Sequence, residues 1–122
     1  MERLLKRADF LSAAKAPSAA MPGVIIQGRK KPDDEKTRVG FTCTKKLGNA
    51  VMRNRIRRRL KEAARLAMPD VVLPAYDYVL IGRVTTETRP FEELRKDIIS
   101  ALNRLHAGGG KTFPPRTKPR RK

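Results

Sequence analysis

The run KKLGNAVMRNRIRRRLK, residues 45–61, could bind a polyanion. It holds eight lysine or arginine residues and no acidic residue. Arg53, Arg57 and Lys61 are four positions apart, a spacing that places them on one side of a helix, where like charges cost about 0.2–0.5 kcal/mol per pair. Guanidinium groups match phosphate oxygens in a bidentate geometry. Neutralisation by a nucleic acid would therefore remove the repulsion within this segment.

The segment also carries the pattern of a helix that docks on a core. Its apolar positions recur every three or four residues, which predicts one buried stripe; they are Ile56, Leu60, Ala63 or Ala64, and Ala67. Asn49 is a plausible N-cap, and Pro69 ends the helix. Arg55, Arg58, Arg59 and Arg65 are expected in the remaining exposed sectors.

Composition supports a nucleic-acid partner over a membrane. The chain has 122 residues, a formal net charge of +17 and a pI near 11.1, which is the footprint of a nucleic-acid binder. A helix that binds a membrane surface needs Trp, Phe and Leu on its apolar face, but the chain has no Trp and its basic helix offers mostly Ala. No segment reads as a secretion signal or a membrane span. Cys43 is the lone cysteine. We therefore expect a soluble protein of the reducing cytosol.

The order of predicted elements is helix, strand, strand, helix, strand, helix. A short helix follows a cap at Asp9, strands cover Val24–Gln27, Thr37–Thr44 and Tyr76–Val84, and the last helix opens at Pro90. This order predicts an α+β fold, an α/β sandwich with a small central, mostly antiparallel sheet. The general rule favours a right-handed crossover around the basic helix. Residues 1–107 form one domain, and the basic tail 108–122 is expected to be disordered.

Catalytic groups are scarce. His106 is the only histidine and is expected at the surface of a helix end. The acids Asp33, Asp34 and Glu35 fall in a turn, where flexible carboxylates lack the fixed geometry of a metal site. Phe10 could stack on an unpaired base, or it could pack in the core on Val24 or Phe41. The sequence predicts a binding protein without catalytic residues or a metal site of its own.

Three motifs together resemble the protein subunit of bacterial ribonuclease P. They are Arg38-Val39-Gly40-Phe41-Thr42, then Lys45-Lys46-Leu47-Gly48-Asn49-Ala50-Val51, then Arg53-Asn54-Arg55-Ile56-Arg57-Arg58. The resemblance runs from about Arg3 to His106 and includes Asp9-Phe10.

The resemblance implies that a large RNA partner is the catalyst and uses Mg²⁺ to cleave precursor tRNA at the mature 5′ end. The protein would bind that RNA and the 5′ leader of the substrate in the cytoplasm, with no membrane and no obligate protein partner. It would thus be the protein component of a ribonucleoprotein endonuclease.

The resemblance also implies site residues. The RNA-binding set is Lys45, Lys46, Asn49, Arg53, Asn54, Arg55, Arg57, Arg58 and Lys61. The leader would be contacted by Phe10 and Lys15 in a cleft between the first helix and the sheet. Many members carry a second aromatic residue where this chain has Ala14, so the leader should be held more by charge and hydrogen bonds. The family also implies a left-handed crossover around the basic helix, against the general rule.

The same composition is compatible with two other functions. One is a ribosomal or other structural RNA-binding protein, which would associate with ribosomal subunits. The other is a DNA-binding regulator, but a helix-turn-helix needs another helix a few residues before the basic one. The sequence predicts a strand there instead.

Overall fold

A computed structural model describes residues 2–4, 7–30 and 36–107. Within them lie five strands and three α-helices, in the order β1 (Glu2–Arg3), α1 (Arg7–Ala14), β2 (Ser18–Met21), β3 (Val24–Lys30), β4 (Arg38–Thr42), α2 (Ala50–Ala67), β5 (Tyr76–Gly82) and α3 (Phe91–His106). Two 3₁₀ turns, Lys45–Leu47 and Val84–Thr86, precede α2 and α3. The predicted tail 108–122 and the acidic turn at 33–35 lie outside the described residues.

The strands form one sheet in the order β1-β4-β5-β3-β2. The antiparallel pairs β3–β5 and β2–β3 join seven and four residue pairs, and the parallel pairs β4–β5 and β1–β4 join five and two. The α+β fold with a mainly antiparallel sheet is thus confirmed, and α2 connects the parallel neighbours β4 and β5. The hand of this crossover stays a prediction.

Strand β5 occupies the centre of the sheet because its side chains are apolar on both faces. Tyr78 and Leu80 are buried in the main core beneath α2 and α3, while Val79 is buried in a smaller cluster with residues of α1. Alternate residues of a strand point to opposite faces. Helices α2 and α3 therefore cover one face of the sheet, and α1 covers the other.

Two strands were missed by the sequence prediction, and one helix start was misplaced. Strand β2 reads SAAM, without a β-branched residue, and β1 has only two residues; both gain their conformation by pairing with a neighbour. Helix α1 begins at Arg7, so Asp9 lies inside its first turn and not at the cap. Strand β5 ends at Gly82 because the chain turns into a 3₁₀ turn after Arg83.

His106 is a half-buried contact residue rather than a free surface histidine. Its Nε2 lies 2.6 Å from Tyr78 Oη, which also accepts a hydrogen bond from the Leu73 N–H (3.1 Å). Burial lowers the pKa of His106 and raises the pKa of Tyr78 to about 12. The ring of Tyr76 stacks on Tyr78 with centroids 5.2 Å apart. This cluster joins the end of α3 to the segment that leads into β5.

Candidate nucleic-acid interface

Helix α2 turns its basic side chains away from the core because its apolar stripe is buried there. The predicted core residues are all buried, and so are both of the alanines that the sequence left as alternatives; the buried set is Ile56, Leu60, Ala63, Ala64 and Ala67. Asn49 caps the helix, and its Oδ1 accepts a hydrogen bond from the Met52 N–H (2.9 Å). The cap and the stripe agree with the sequence prediction, and they fix which side of the helix faces outward.

The outer flank of α2 carries positive charge without a balancing carboxylate. Arg53, Arg57 and Lys61 are partly exposed, and Arg58 is exposed. Within residues 2–4, 7–30 and 36–107, none of the four makes an ion pair; the recorded partner of Arg57 is the neutral Oδ1 of Asn54, 3.0 Å from its Nη1. This outer flank, defined by Arg53, Arg57, Arg58 and Lys61, therefore carries positive charge that no ion pair within the described residues neutralises.

Arg53 is anchored to the protein by its stem. Its Nε is buried and has no hydrogen-bond partner in the described part of the chain. Burial raises the pKa of the Cys43 thiol, whereas the nearby charges of Arg57 and Arg53 act in the opposite direction. The two guanidinium groups therefore lie near the residue that follows β4. An unsatisfied buried donor costs about 1–3 kcal/mol, and the described part of the chain leaves this cost at Arg53 without compensation.

The lysines before α2 extend the positive surface. Lys45 and Lys46 are both exposed in the 3₁₀ turn. Gly48 follows with a φ of +128°, in the left-handed region that favours glycine. The turn thus brings two lysines to the N-terminus of α2, where free N–H groups also attract anions. Asn49 lies here too, although its side-chain oxygen is engaged in capping the helix.

Arg55 and Arg59 have a different environment from the outer flank. Arg55 Nη1 lies 2.5 Å from Glu87 Oε2. Arg59, which was expected in an exposed sector, is half-buried: its Nη1 and Nη2 donate to the carbonyl oxygens of Glu87 (2.5 Å) and Arg89 (2.7 Å). Its guanidinium carbon is 6.0 Å from the ring centroid of Phe91. Sequence reasoning missed this role because the partners lie about thirty residues away and carry no local signal.

Phe10 lies on the opposite face of the sheet from α2. Its half-buried ring packs in the small cluster of Leu4, Ala13 and Val79. A Cβ on Gly40 would come within 2.6 Å of Phe10 Cζ, so the ring rests on the backbone of β4. The alternative prediction, that Phe10 packs in the core on Val24 or Phe41, is wrong, because those two residues contribute to the core on the other face of the sheet.

The remaining leader candidates flank this ring. Lys15 is exposed directly after α1, and Ala14 is exposed on the helix itself. Strand β4 runs beneath Phe10 at Gly40 and ends at Thr42, three residues before Lys45. The face that carries α1 and the basic surface at the start of α2 therefore approach each other at the C-terminal end of β4.

The described residues hold neither a metal-ligand cluster nor a membrane-spanning helix. No group of three or more His, Cys, Asp or Glu residues in them is placed to hold a metal ion. None of the described helices is long and apolar enough to cross a membrane.

The fold and this surface define a small α+β protein with a basic helix on one face of its sheet. A family model described as Ribonuclease P matches residues 1–106. The ribonuclease P protein component of Ruegeria pomeroyi is 53% identical over 107 residues, which cover 85% of this chain and 86% of the relative. That of Caulobacter vibrioides is 54% identical over 107 residues, covering 87% and 72%.

Solved structures agree with the family match. The ribonuclease P protein of Staphylococcus aureus superimposes with a TM-score of 0.70 at 26% identity, covering 86% of this chain and 95% of that one. The protein from Thermotoga maritima gives 0.69 at 29% identity, covering 85% and 97%. The chain belongs to the ribonuclease P protein family, the protein components of a ribonucleoprotein endoribonuclease that processes tRNA. Its partners are accordingly a ribonuclease P RNA and a tRNA substrate.

Proposed function

We propose that this protein docks on the catalytic RNA of ribonuclease P through α2 and contacts the 5′ leader of precursor tRNA through the face that carries α1. The RNA-binding residues comprise the outer flank and the residues around the helix start: Lys45, Lys46, Asn49, Arg53, Asn54, Arg57, Arg58 and Lys61. Arg55, which the resemblance also places in this set, is left out because it pairs with Glu87. Phe10 and Lys15 contact the leader. Together they promote cleavage at the mature 5′ end, with the chemistry and the Mg²⁺ carried by the RNA.

The observation that carries this proposal is the unpaired charge on the outer flank. Elsewhere in the described chain, carboxylates pair with arginines: Glu62 binds Arg65, and Asp97 binds Arg89. The arginines of the outer flank have no such partner. Because repulsion between neighbouring like charges destabilises the helix, a phosphate backbone is the natural counter-charge.

The alternatives fit the geometry less well. A 3₁₀ turn and strand β4, and not a second α-helix, precede α2, so the arrangement of a helix-turn-helix DNA reader is missing from this part of the chain. A structural ribosomal protein would share the charge, but the family match covers residues 1–106. Cytoplasmic location and the lack of an obligate protein partner belong to the same proposal.

The half-buried ring of Phe10 could stack on only a small part of the leader. Phe10 packs against the sheet and leaves part of its ring exposed, while the next turn of α1 presents Ala14. We infer that Phe10 stacks on one base and that Lys15 attracts a leader phosphate. Removing the leader should therefore weaken binding of precursor tRNA by the holoenzyme more than a change in leader sequence does.

The first test is cleavage of a 5′-labelled precursor tRNA at low Mg²⁺ by the protein alone, by the ribozyme RNA alone and by both. Efficient cleavage at the mature 5′ end by the mixture alone supports the proposal. Cleavage by the protein alone would contradict the assignment of catalysis to the RNA. A mixture no better than the RNA alone would contradict the cofactor role.

A binding experiment then tests the surface. Arg57→Ala should weaken RNA binding and lower the steepness of log K against log salt by about 1, as expected for one lost phosphate contact. Arg65→Ala is the matched control, because Arg65 lies on the same helix, carries the same charge and is exposed but pairs with Glu62. Equal losses in both variants would mean that binding follows net charge and not the outer flank.

A further inference from the structure

The two arginines of the Arg53-Asn54-Arg55 motif point to opposite sides of α2. An α-helix turns about 100° per residue, so positions two apart differ by about 200°. Arg53 shares its side with Arg57 and Lys61, four and eight residues later. Arg55 shares its side with Arg59. The motif therefore contributes to two different surfaces.

The side of Arg55 faces the segment that links β5 to α3. The Glu87 side chain is only 20% exposed and pairs with Arg55, which remains 56% exposed. Arg59 donates to the carbonyl oxygens of Glu87 and Arg89 in the same segment. Two adjacent turns of α2 are thus joined to one short stretch of chain; we call Arg55, Arg59 and Glu87 the clamp.

The segment that receives the clamp is itself anchored. Thr86 Oγ1 donates to the carbonyl oxygen of Gly23 (2.7 Å) in the turn between β2 and β3. Arg89 Nε lies 2.8 Å from Asp97 Oδ2 of α3, and the same oxygen accepts from the Gly23 N–H (2.9 Å). A continuous set of hydrogen bonds therefore links α2 to the β2–β3 turn and to α3.

Arg53 and Arg55 also differ in the charges that surround them. A phosphate that approached Arg55 would meet the Glu87 carboxylate, whose charge offsets that of the guanidinium. Neither Arg53 nor Arg57 forms an ion pair with a carboxylate of the described residues, so a phosphate would not have to displace one. Attraction for RNA is therefore concentrated on the outer flank.

We propose that the clamp positions α2 and does not bind RNA: Arg55, Arg59 and Glu87 fix the rotation of the helix on the sheet, so that the outer flank faces the RNA. This inference rests on the proposed RNA-binding function of that flank. It divides the motif between Arg53, a phosphate ligand, and Arg55, a positioning residue.

The test measures affinity for the ribozyme RNA between about 50 and 200 mM salt, well below the melting temperature of each variant. Arg53→Gln and Arg57→Gln should each reduce the slope of log K against log salt by about 1. Arg55→Gln, Arg59→Met and Glu87→Gln should lower affinity several-fold with an unchanged slope, giving lines parallel to wild type. Arg65→Gln, outside the clamp, should follow wild type.

Each other outcome overturns a defined claim. A reduced slope for Arg55→Gln would make Arg55 a phosphate ligand. If all three clamp variants keep the wild-type affinity for RNA, the clamp stabilises the fold but does not position α2 for RNA binding. Tighter binding with a steeper slope for Glu87→Gln would mean that Glu87 masks Arg55 from RNA. If Arg53→Gln and Arg57→Gln also keep the wild-type slope, the proposed function of the outer flank fails instead. Arg55→Gln alters an exposed side chain and should fold even if Arg59→Met does not.

Discussion

Replacing Gly40 with alanine should push Phe10 away from the sheet. The added Cβ would lie 2.6 Å from Phe10 Cζ, 2.7 Å from Cε1 and 3.0 Å from Leu4 Cβ. Carbon atoms in favourable contact are about 3.5–4.0 Å apart, so the ring must move by about 1 Å. Gly40 does not have a positive φ, and backbone strain is therefore not part of the effect.

The expected loss of stability can be bounded from these contacts. Overpacking of this kind costs about 1–3 kcal/mol. Alanine has less conformational freedom than glycine in the unfolded chain, and this difference offsets about 0.4–1 kcal/mol of the cost. The middle of each range gives a net loss of about 1.3 kcal/mol, which corresponds to a decrease in Tm of about 5–10 °C at about 4–8 °C per kcal/mol for a domain near 100 residues. Thermal unfolding followed by circular dichroism measures it.

Two comparisons isolate the contact. Gly28→Ala is the matched control in β3, because its Cβ would meet its nearest atom, Leu105 Cδ1, only at 3.2 Å, and it should lower Tm less. Combining Gly40→Ala with Phe10→Ala should cost clearly less than the sum of the two single changes. Strict additivity, or a wild-type Tm for Gly40→Ala, would refute the packing of Phe10 on β4.

The same variant tests the leader proposal. If Phe10 stacks on a leader base, its displacement should reduce the preference of the holoenzyme for precursor over mature tRNA at temperatures where the variant is folded. Affinity for the ribozyme RNA should be retained, since α2 lies on the other face of the sheet. An unchanged preference would show that the position of Phe10 does not matter for the leader.

Three further changes should have measurable effects. Asn49→Ala should lower the free energy of unfolding by about 0.5–2 kcal/mol through loss of the N-cap; no change in urea denaturation would contradict the capping role. Burial lowers the pKa of His106 in the folded protein. At a pH between the folded and the unfolded pKa of this residue, the unfolded chain therefore binds more protons than the folded protein. Stability should accordingly fall as the pH drops below about 6.5, the pKa of an unperturbed histidine. His106→Gln should flatten that part of the curve of Tm against pH, and an unaltered curve would assign it to other groups. Asp97→Leu should cost about 1–3 kcal/mol because the buried Gly23 N–H loses its acceptor; a wild-type urea midpoint would exclude this.

The sequence alone predicted the features whose signals are local. The spacing of Ile56, Leu60 and Ala67 predicted the buried stripe of α2, and Asn49 predicted its cap. The apolar run at 78–81 lies in the strand that was predicted over Tyr76–Val84. The three basic motifs predicted the family; the anion-binding surface that the arginines indicate stays a prediction. These features depend on neighbours within one or two turns of chain, which a single sequence displays directly.

Tertiary structure alone decided which arginines have a partner within the described part of the protein. Arg53 and Arg55 are equivalent in the sequence, but docking α2 on the sheet turns Arg55 and Arg59 towards Glu87, about thirty residues away. It also decided that Phe10 packs on β4, because α1 crosses the face opposite α2. Strands β1 and β2 exist because longer strands offer them hydrogen bonds, not because their residues favour extended structure. Pairings between distant segments depend on how the whole chain is packed, and no local pattern of residue types encodes them.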